Sequence, residues 1–323
     1  MTGGTSGIGR RVVERLLAEQ PGWTVILLAR PSQRVEELRA LPGAARRLAV
    51  VEADLASLKS VDAACGRVAQ IVGTHEIDAL GLNAGVQTVS GDASSTDGLE
   101  LAFAVNFLAH FLIVERLKRL LQDGGRIILT SSEVHDPDAF CLMGIGRATW
   151  QDPFVLADPV HSQDQIRSVV DRGEARYSAS KLLNLMHARL MAQELPRIGV
   201  VAFNPSVVPG TEIGRDRNWL QQLAWKHVMP ALAPILPGAR ALEESASDLL
   251  WLLTEANAHG LSGQYVDGRM RQPGSKESRD PAKIKRAAEV ARILLERYLD
   301  GHGDACAAAE QRGAAKMSNM RSR

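Results

Sequence analysis

The chain has 323 residues, of which 45% are hydrophobic, and its formal net charge is +1. This composition is typical of a globular protein with a sizeable core, and so small a net charge gives no electrostatic reason to expect binding to nucleic acid. The three scattered cysteines fit neither a metal site nor a disulfide framework, and no apolar run approaches the roughly 18 residues of a membrane span. We therefore expect a cytoplasmic protein with no metal and no stable membrane insertion.

A glycine-rich turn opens the chain and leads directly into a helix. Residues 1–9 read Met-Thr-Gly-Gly-Thr-Ser-Gly-Ile-Gly, and a helix is predicted over Arg10–Glu19. Glycines let the backbone approach a phosphate group closely, and the start of a helix presents unpaired N–H groups to an anion. The candidate residues for binding a pyrophosphate are Thr2, Gly3, Thr5, Ser6, Gly7 and Ile8.

Short apolar runs then alternate with amphipathic stretches along most of the chain. This order predicts βαβ units, and so an α/β fold with a Rossmann-type, doubly wound parallel sheet in a single domain. Strands are predicted at 24–29, 47–52, 77–82, 126–130 and 200–203, and further helices at 58–72, 99–121, 177–194, 243–255 and 284–299.

The sequence leaves almost no residues for the central strand of the predicted sheet. Such a sheet has a strand directly before its glycine turn, but here the turn begins at Thr2. A missing central strand would leave hydrogen-bonding groups of both neighbouring strands unpaired inside the core. Either the natural chain starts further upstream or the sheet lacks its middle strand; we favour the first, and expect the first strand to be truncated here.

A tyrosine and a lysine lie four residues apart on one face of a predicted helix, at Tyr177 and Lys181. An ammonium group beside a phenol favours the phenolate and so lowers the phenol's pKa towards the range of an acid–base catalyst. Taken alone, such a pair is usually a solvated surface pair. Together with the glycine turn, the pair makes the chain resemble the short-chain dehydrogenases/reductases. The motifs TGxxxGxG and YxxxK of that family are matched at Thr2, Gly3, Gly7, Gly9, Tyr177 and Lys181.

The resemblance implies four catalytic residues: Asn106, Ser132, Tyr177 and Lys181. Asn106 lies in the middle of a predicted helix, where an amide is unfavourable unless it has a local role; in the family this asparagine holds a water beside the lysine. Ser132 would hydrogen-bond the substrate oxygen, Tyr177 would transfer the proton, and Lys181 would contact the nicotinamide ribose. The preceding Ser131 is interpreted as a packed or capping hydroxyl.

The resemblance also implies a nicotinamide cofactor along the carboxyl ends of the strands. Arg30 ends the strand at 24–29, and an arginine at that position accommodates the 2′-phosphate of NADP(H). NADP(H) is therefore the predicted cofactor, with a plain surface arginine as the alternative. The remaining cofactor candidates are Asp54, Leu55, Asn83, Ala84, Gly85, Val208 and Thr211. For Asp54 and for Asn83–Gly85, a turn or cap role is the alternative.

Two segments resemble the branch that holds retinol dehydrogenases and light-dependent protochlorophyllide reductases. These are residues 97–111, with Val-Asn-Phe-Leu-Ala-His-Phe, and 204–211, with Asn-Pro-Ser-Val-Val-Pro-Gly-Thr. Leu183 and Val207 replace two cysteines of the protochlorophyllide reductases, so a C=C reductase of that type is the less favoured reading. Ser206 replaces the usual glycine of the later loop.

Two further segments are expected near the substrate. Residues 133–176 form an insertion that shapes the site, or else a tolerated surface loop. Residues 212–242, with an apolar stretch at 219–237, are expected to form a lid over a bulky hydrophobic substrate; a helix packed on the core or on a partner subunit is the alternative. The domain would span residues 1–299, followed by a disordered tail at 300–323.

The sequence thus predicts an NADP(H)-dependent oxidoreductase that interconverts a carbonyl and an alcohol on a bulky hydrophobic substrate, with Tyr177 as the proton donor or acceptor. A non-catalytic NADP(H)-binding sensor or scaffold is the alternative. The resemblance further implies a homodimer or homotetramer formed through the helices at 99–121 and 177–194.

Overall fold

The structure is a computed structural model that describes residues 1–88, 93–139, 148–160, 169–209, 238–255 and 259–299. Thr211, most of the predicted lid, part of the predicted insertion and the tail lie outside the described residues.

The described strands form a mostly parallel sheet, as predicted. One edge consists of β1 (Val25–Ala29) and β2 (Leu48–Glu52), which pair in parallel. The other part has the order β3 (Ile77–Leu82), β4 (Leu121–Thr130), β5 (Gly199–Asn204), β6 (Tyr265–Asp267) and β7 (Met270–Gln272), of which only β7 is antiparallel to its neighbour.

Met1 and Thr2 join the two parts of the sheet. Thr2 pairs in parallel with both Leu28 of β1 and Leu82 of β3. Its N–H donates to the carbonyl of Gly81, while the N–H of Leu28 donates to the carbonyl of Met1, each at 2.9 Å. Met1 and Thr2 therefore occupy the position of the central strand, between β1 and β3.

Helices cover both faces of the sheet. They are α1 (Gly7–Glu19), α2 (Gln33–Arg39), α3 (Ala44–Arg47), α4 (Leu58–Val72), α5 (Ala109–Leu117), α6 (Pro153–Ala157), α7 (Val169–Glu194), α8 (Leu242–Thr254) and α9 (Pro281–Leu299). α1 and α8 pack on one face, and α4, α5, α7 and α9 on the other. Within the described ranges, no helix combines the length and the apolar character that crossing a bilayer requires.

The inner strands between these layers, β5 and the last residues of β4, are buried on both faces, which is why they read as continuous apolar runs. In β4, Ile127 and Leu129 point into the core beneath α4, α5 and α7, whereas Ile128 points into the core beneath α1 and α8. Successive side chains of a strand face opposite sides, so one short run supplies both cores.

The start of β4 differs from the prediction. The helical region ends at Leu120 and β4 begins at Leu121, five residues before the predicted start of this strand at residue 126. Leu121 pairs with Ile77, and the register then shifts before the next pair. Gly124, with φ +83°, lies inside this irregular part of the strand, where a glycine allows the strand to bulge.

The helix that carries Tyr177 also starts earlier than predicted, at Val169 instead of Tyr177. The last part of the segment predicted as an insertion therefore forms the first turns of α7. The sequence from Asp171 to Arg176 is rich in residues that favour helices, which explains the extension.

α9 packs across α7 and α4. The buried side chains on its inner face include Ile284, Ala288 and Leu295, and Arg292 lies 5.8 Å from the centre of the Phe111 ring. α9 thus covers part of α7, one of the two helices through which the family resemblance predicts self-association. The oligomeric state itself stays a prediction.

Candidate active site

A cleft of about 840 Å³ runs along the carboxyl ends of β1–β5, where parallel α/β sheets bind their ligands. Most of the predicted site residues line it together. They are Gly3, Thr5, Ser6, Gly7 and Ile8 from the glycine turn; Arg30, Asp54, Leu55, Asn83, Ala84 and Gly85 from the strand ends; and Ser132, Tyr177, Lys181 and Val208. Thr2 and Asn106 lie behind the wall of the cleft.

The glycine turn is held tightly against the loop after β3. Gly3 has φ +68°, and a Cβ there would lie 2.7 Å from the main-chain nitrogen of Ala84; a Cβ on Gly9 would collide with the carbonyl oxygen of Gly3. Ser6 precedes α1, and its side chain makes no capping hydrogen bond. The turn therefore forms a glycine-rich cradle at the start of a helix, which fits a dinucleotide phosphate.

Thr2 does not reach the cleft, although it was predicted to bind the cofactor. It is only 1% exposed, and its Oγ1 accepts hydrogen bonds from the main-chain N–H groups of Asn83 and Ala84, both at 3.1 Å. The hydroxyl thus holds the loop after β3 in place from behind.

Positively charged side chains lie at the far end of the cleft. Arg30 and Arg34 both line it there and are exposed. Asp54 also lines the cleft, but its Oδ1 accepts a 3.1 Å hydrogen bond from the N–H of Ala56. Asp54 therefore has the turn role that was the alternative prediction for it, while its contact with the cofactor stays a prediction.

Tyr177 and Lys181 lie at the opposite end of the cleft. The Nζ of Lys181 lies 5.4 Å from the centre of the Tyr177 ring and donates a 3.1 Å hydrogen bond to the carbonyl of Thr130, the last residue of β4. Lys181 is only 2% exposed, and this burial lowers the pKa of its ammonium to about 8.

Asn106 lies inside a π-helical segment, Phe103–Leu108. Such segments are rare in proteins, and those that occur are often found at functional sites. Its Nδ2 donates to the carbonyl of Val86 and to the Oγ of Ser180, both at 2.9 Å, and its Oδ1 accepts from the N–H of Val86 at 2.7 Å. The carboxamide therefore joins the loop after β3 to the helix that carries Tyr177.

The two serines after β4 have different surroundings. Ser131 donates a 2.8 Å hydrogen bond to the carbonyl of Lys181 and is buried, so its interpretation as a packed hydroxyl is confirmed. Ser132 lines the cleft and lies 3.3 Å from Oε2 of Glu133. Burial raises the pKa of the Glu133 carboxyl.

Sequence reasoning missed two buried histidines that contact main-chain carbonyls of the predicted catalytic residues. The Nδ1 of His110 lies 3.0 Å from the carbonyl oxygen of Asn106, and the Nδ1 of His135 lies 2.6 Å from that of Ser132. A carbonyl can only accept, so both nitrogens donate. The available signal was their spacing, since each lies about one helical turn after the residue it contacts.

The loop after β5 closes the site. Ser206, where the resemblance leads one to expect glycine, has φ +61°, and its Oγ donates a 3.1 Å hydrogen bond to Oδ1 of Asp267. Val207 pairs with Ala239. These contacts fix the loop on which Val208 lines the cleft.

Comparison with known proteins agrees with this geometry. Residues 1–139 match the short chain dehydrogenase family. A protein of Streptomyces sp. (strain C5) that is assigned as a daunorubicin C-13 ketoreductase is 30% identical over 299 residues, covering 90% of this chain and 91% of that protein. Retinol dehydrogenase 14 of Mus musculus is 25% identical, covering 91% of this chain and 84% of that protein.

The structure of an NADPH-bound carbonyl reductase from chicken fatty liver has the same fold. It superposes with a TM-score of 0.60 at 20% identity, covering 83% of this chain and 94% of that one. The chain therefore belongs to the short-chain dehydrogenase/reductase family, and within that family it resembles the retinol dehydrogenases.

Proposed function

We propose that the protein is an NADP(H)-dependent oxidoreductase that interconverts a carbonyl and an alcohol on a bulky hydrophobic substrate. The observation that carries this proposal is the buried ammonium of Lys181 beside the ring of Tyr177, in a cleft that also contains the glycine cradle. A buried cation next to a phenol is costly to maintain and is useful where a phenolate must form.

Each residue then has a physical role. The cofactor, when bound, supplies or accepts the hydride. In reduction, Tyr177 gives its proton to the substrate oxygen, and Ser132 donates a hydrogen bond to the same oxygen. Lys181 stabilises the phenolate that remains; because its pKa of about 8 lies above neutral pH, it is mostly charged at pH 7.

Asn106 acts by positioning. Its carboxamide is fully engaged with Val86 and Ser180, and the Oγ of Ser180 donates a 2.7 Å hydrogen bond to the carbonyl of Tyr177. Asn106 therefore fixes the helical turn of the proton donor relative to the loop along which the cofactor is proposed to bind.

The charge at the far end of the cleft supports NADP(H). Arg30 and Arg34 are both exposed there, and guanidinium groups suit a phosphate, whereas a carboxylate at this place suits the ribose hydroxyls of NAD.

The walls of the cleft near the proton donor support a hydrophobic substrate. They include Val86, Val105, Val134 and Val207, and ligand pockets of this kind are mostly apolar with a few polar groups that orient the ligand. The names of the two curated relatives point to the same chemistry, a ketone in one and an alcohol in the other.

The test is a steady-state assay of NADPH oxidation with polycyclic ketones and retinal, using the wild type and Tyr177→Phe. We expect the variant to lose about 100-fold or more in turnover while its NADPH affinity changes by less than about three-fold, because the hydroxyl acts in proton transfer. Tyr298→Phe, which removes a hydroxyl on α9, is the control. Normal turnover in Tyr177→Phe would contradict the role of Tyr177; NADPH binding without turnover of any substrate by the wild type would favour a sensor.

A further inference from the structure

His110 lies on α5 behind the cleft and is fully buried. Both of its ring nitrogens have hydrogen-bond partners. The Nδ1 lies 3.0 Å from the carbonyl oxygen of Asn106, and the Nε2 lies 3.0 Å from the Oγ1 of Thr2. The ring therefore spans the space between the glycine turn and the π-helical segment.

The partners determine where the protons are. The carbonyl of Asn106 can only accept, so Nδ1 carries the hydrogen. The Oγ1 of Thr2 already accepts from the N–H groups of Asn83 and Ala84, which uses both of its lone pairs, so its own hydrogen points to Nε2. His110 is therefore neutral, with every donor and acceptor paired; burial, which lowers the pKa of this imidazole to about 3, favours the same state.

These bonds form a continuous path across the site. It begins at Asn83 and Ala84, two residues that line the cleft and whose main-chain N–H groups donate to Thr2 behind it. It then passes through His110 to the carbonyl of Asn106. From the carboxamide of Asn106 it continues through Ser180 to the carbonyl of the proton donor's residue. No other side chain of the path has partners on both the glycine turn and the π-helical segment among the contacts described above.

We propose that His110 is a positioning residue of the reductase. It holds the carbonyl of Asn106 at a fixed place relative to Thr2 and so couples the loop after β3, Asn83–Gly85, to the helical turn of the proton donor. The proposal rests on the proposed function. It explains why a buried ring with no access to the cleft is engaged at both nitrogens.

The kinetic test compares three variants. His110→Leu removes both contacts, and His110→Asn keeps a side-chain N–H close to the place of Nδ1. His187→Leu is the matched control, because His187 is also buried and stacks on Phe111 of α5, and its ring nitrogens have no hydrogen-bond partner in the part of the chain that the structure describes. We expect kcat to fall at least about 10-fold in His110→Leu, with KM for the ketone within about three-fold.

His110→Asn is expected to recover most of the lost kcat, and His187→Leu to leave kcat within about two-fold of the wild type. An unchanged kcat in His110→Leu would overturn the proposal. An asparagine variant as slow as the leucine variant would also overturn it. Equal rates would mean that a packing defect, and not the loss of the N–H donor, slows both variants.

Amide hydrogen exchange of residues 101–117 gives a readout that needs no turnover. Thr2→Val removes the hydroxyl that donates to Nε2. In the wild-type background we expect Thr2→Val to speed exchange in this segment, and in the His110→Leu background to add nothing. A wild type that reduces no ketone would contradict the proposed function yet leave this comparison valid, whereas equal acceleration in both backgrounds would overturn the coupling through His110.

Discussion

The ammonium of Lys181 donates a 3.1 Å hydrogen bond to the carbonyl oxygen of Thr130. The same oxygen accepts a 3.0 Å hydrogen bond from Nδ2 of Asn184, so it remains paired without the lysine. The lysine, in contrast, is buried, and burial lowers the pKa of its ammonium from 10.5 to about 8. At about 1.4 kcal/mol for each pKa unit, burial in the folded protein destabilises the charged form of Lys181 by roughly 3 kcal/mol.

Lys181→Met should therefore stabilise the free protein while abolishing turnover. We expect the melting temperature at pH 7 to rise by about 4 °C or more, measured by calorimetry. Lys118→Met is the control, because Lys118 is half-buried and bonded to Glu115 at 2.8 Å; it should not raise the melting temperature.

The pH dependence of this difference follows from the sign of the pKa change. Between pH 8 and 10.5 the unfolded lysine holds a proton that the folded one releases, so the wild type gains stability as the pH rises. The advantage of Lys181→Met should thus shrink from pH 8 to pH 10. A constant advantage would show that better packing of the methionine, and not the removal of the buried charge, separates the two proteins.

Arg30→Asp should invert the cofactor preference. The exposed guanidinium at the end of β1 suits a 2′-phosphate, whereas a carboxylate there repels the phosphate and accepts hydrogen bonds from ribose hydroxyls. We expect the ratio of the Kd values for NADPH and NADH to change by at least about 10-fold in favour of NADH, measured by fluorescence titration. Arg39→Asp makes the same change of charge on the exposed end of α2, and it should leave the ratio unchanged. An equal change of the ratio in both variants would show that the net charge of the protein, and not the position of Arg30, sets the preference.

The features that could be predicted from the sequence are those whose residues lie only a few positions apart in the chain. The glycine turn and the pair of Tyr177 and Lys181 carry their geometry in a few residues, and alternating apolar runs imply the sheet. The contact of His110 with Asn106 is also local, but its other partner, Thr2, is 108 positions away. A hydroxyl inside a glycine turn looks like a cofactor contact until the fold shows that it points to a histidine.

Long-range packing explains the other differences. α9 is amphipathic in sequence, but nothing in its own residues specifies that it covers α7 and α4. Likewise, Gly124 is compatible with a helix end or with a strand bulge, and the pairing of Leu121 with Ile77 decides between them. These choices depend on partners that are distant in the chain.

Ser206→Gly should stabilise the loop after β5. A left-handed φ of +61° costs a residue with a Cβ about 1 kcal/mol or more relative to glycine. Because the change also removes the hydrogen bond to Asp267, Ser206→Ala is the reference: it loses the same hydroxyl and keeps the strain. We expect the glycine variant to exceed the alanine variant by about 1 kcal/mol in the free energy of unfolding, measured with urea; equal values would mean that the backbone there carries no strain.

Two glycines should respond in opposite ways to alanine. A Cβ on Gly9 would collide with the carbonyl of Gly3, whereas a Cβ on Gly66, within α4, meets nothing within 4 Å. Gly66→Ala should raise the free energy of unfolding by about 0.5–1 kcal/mol. Gly9→Ala should weaken NADPH binding at least about 10-fold, because the turn must open. Normal binding by Gly9→Ala would show that the cradle does not contact the cofactor.

His187 should make the protein sensitive to acid. Burial, helped by the nearby cations Lys118 and Arg292, lowers the pKa of this imidazole to about 3. The ring is stacked on Phe111 at 4.6 Å. Below pH 6.5 the unfolded histidine takes up a proton that the folded one refuses, so the stability present above pH 6.5 is lost as the pH falls towards 3.

His187→Leu removes this proton uptake and keeps a similar side-chain volume. The difference in the free energy of unfolding between the variant and the wild type should therefore grow by about 1.4 kcal/mol for each pH unit below about 6. Urea unfolding at pH 7, 6 and 5 measures it, and at pH 7 the two proteins differ only through packing. A difference that stays constant over this range would show that His187 is already charged in the folded protein, or that water reaches it.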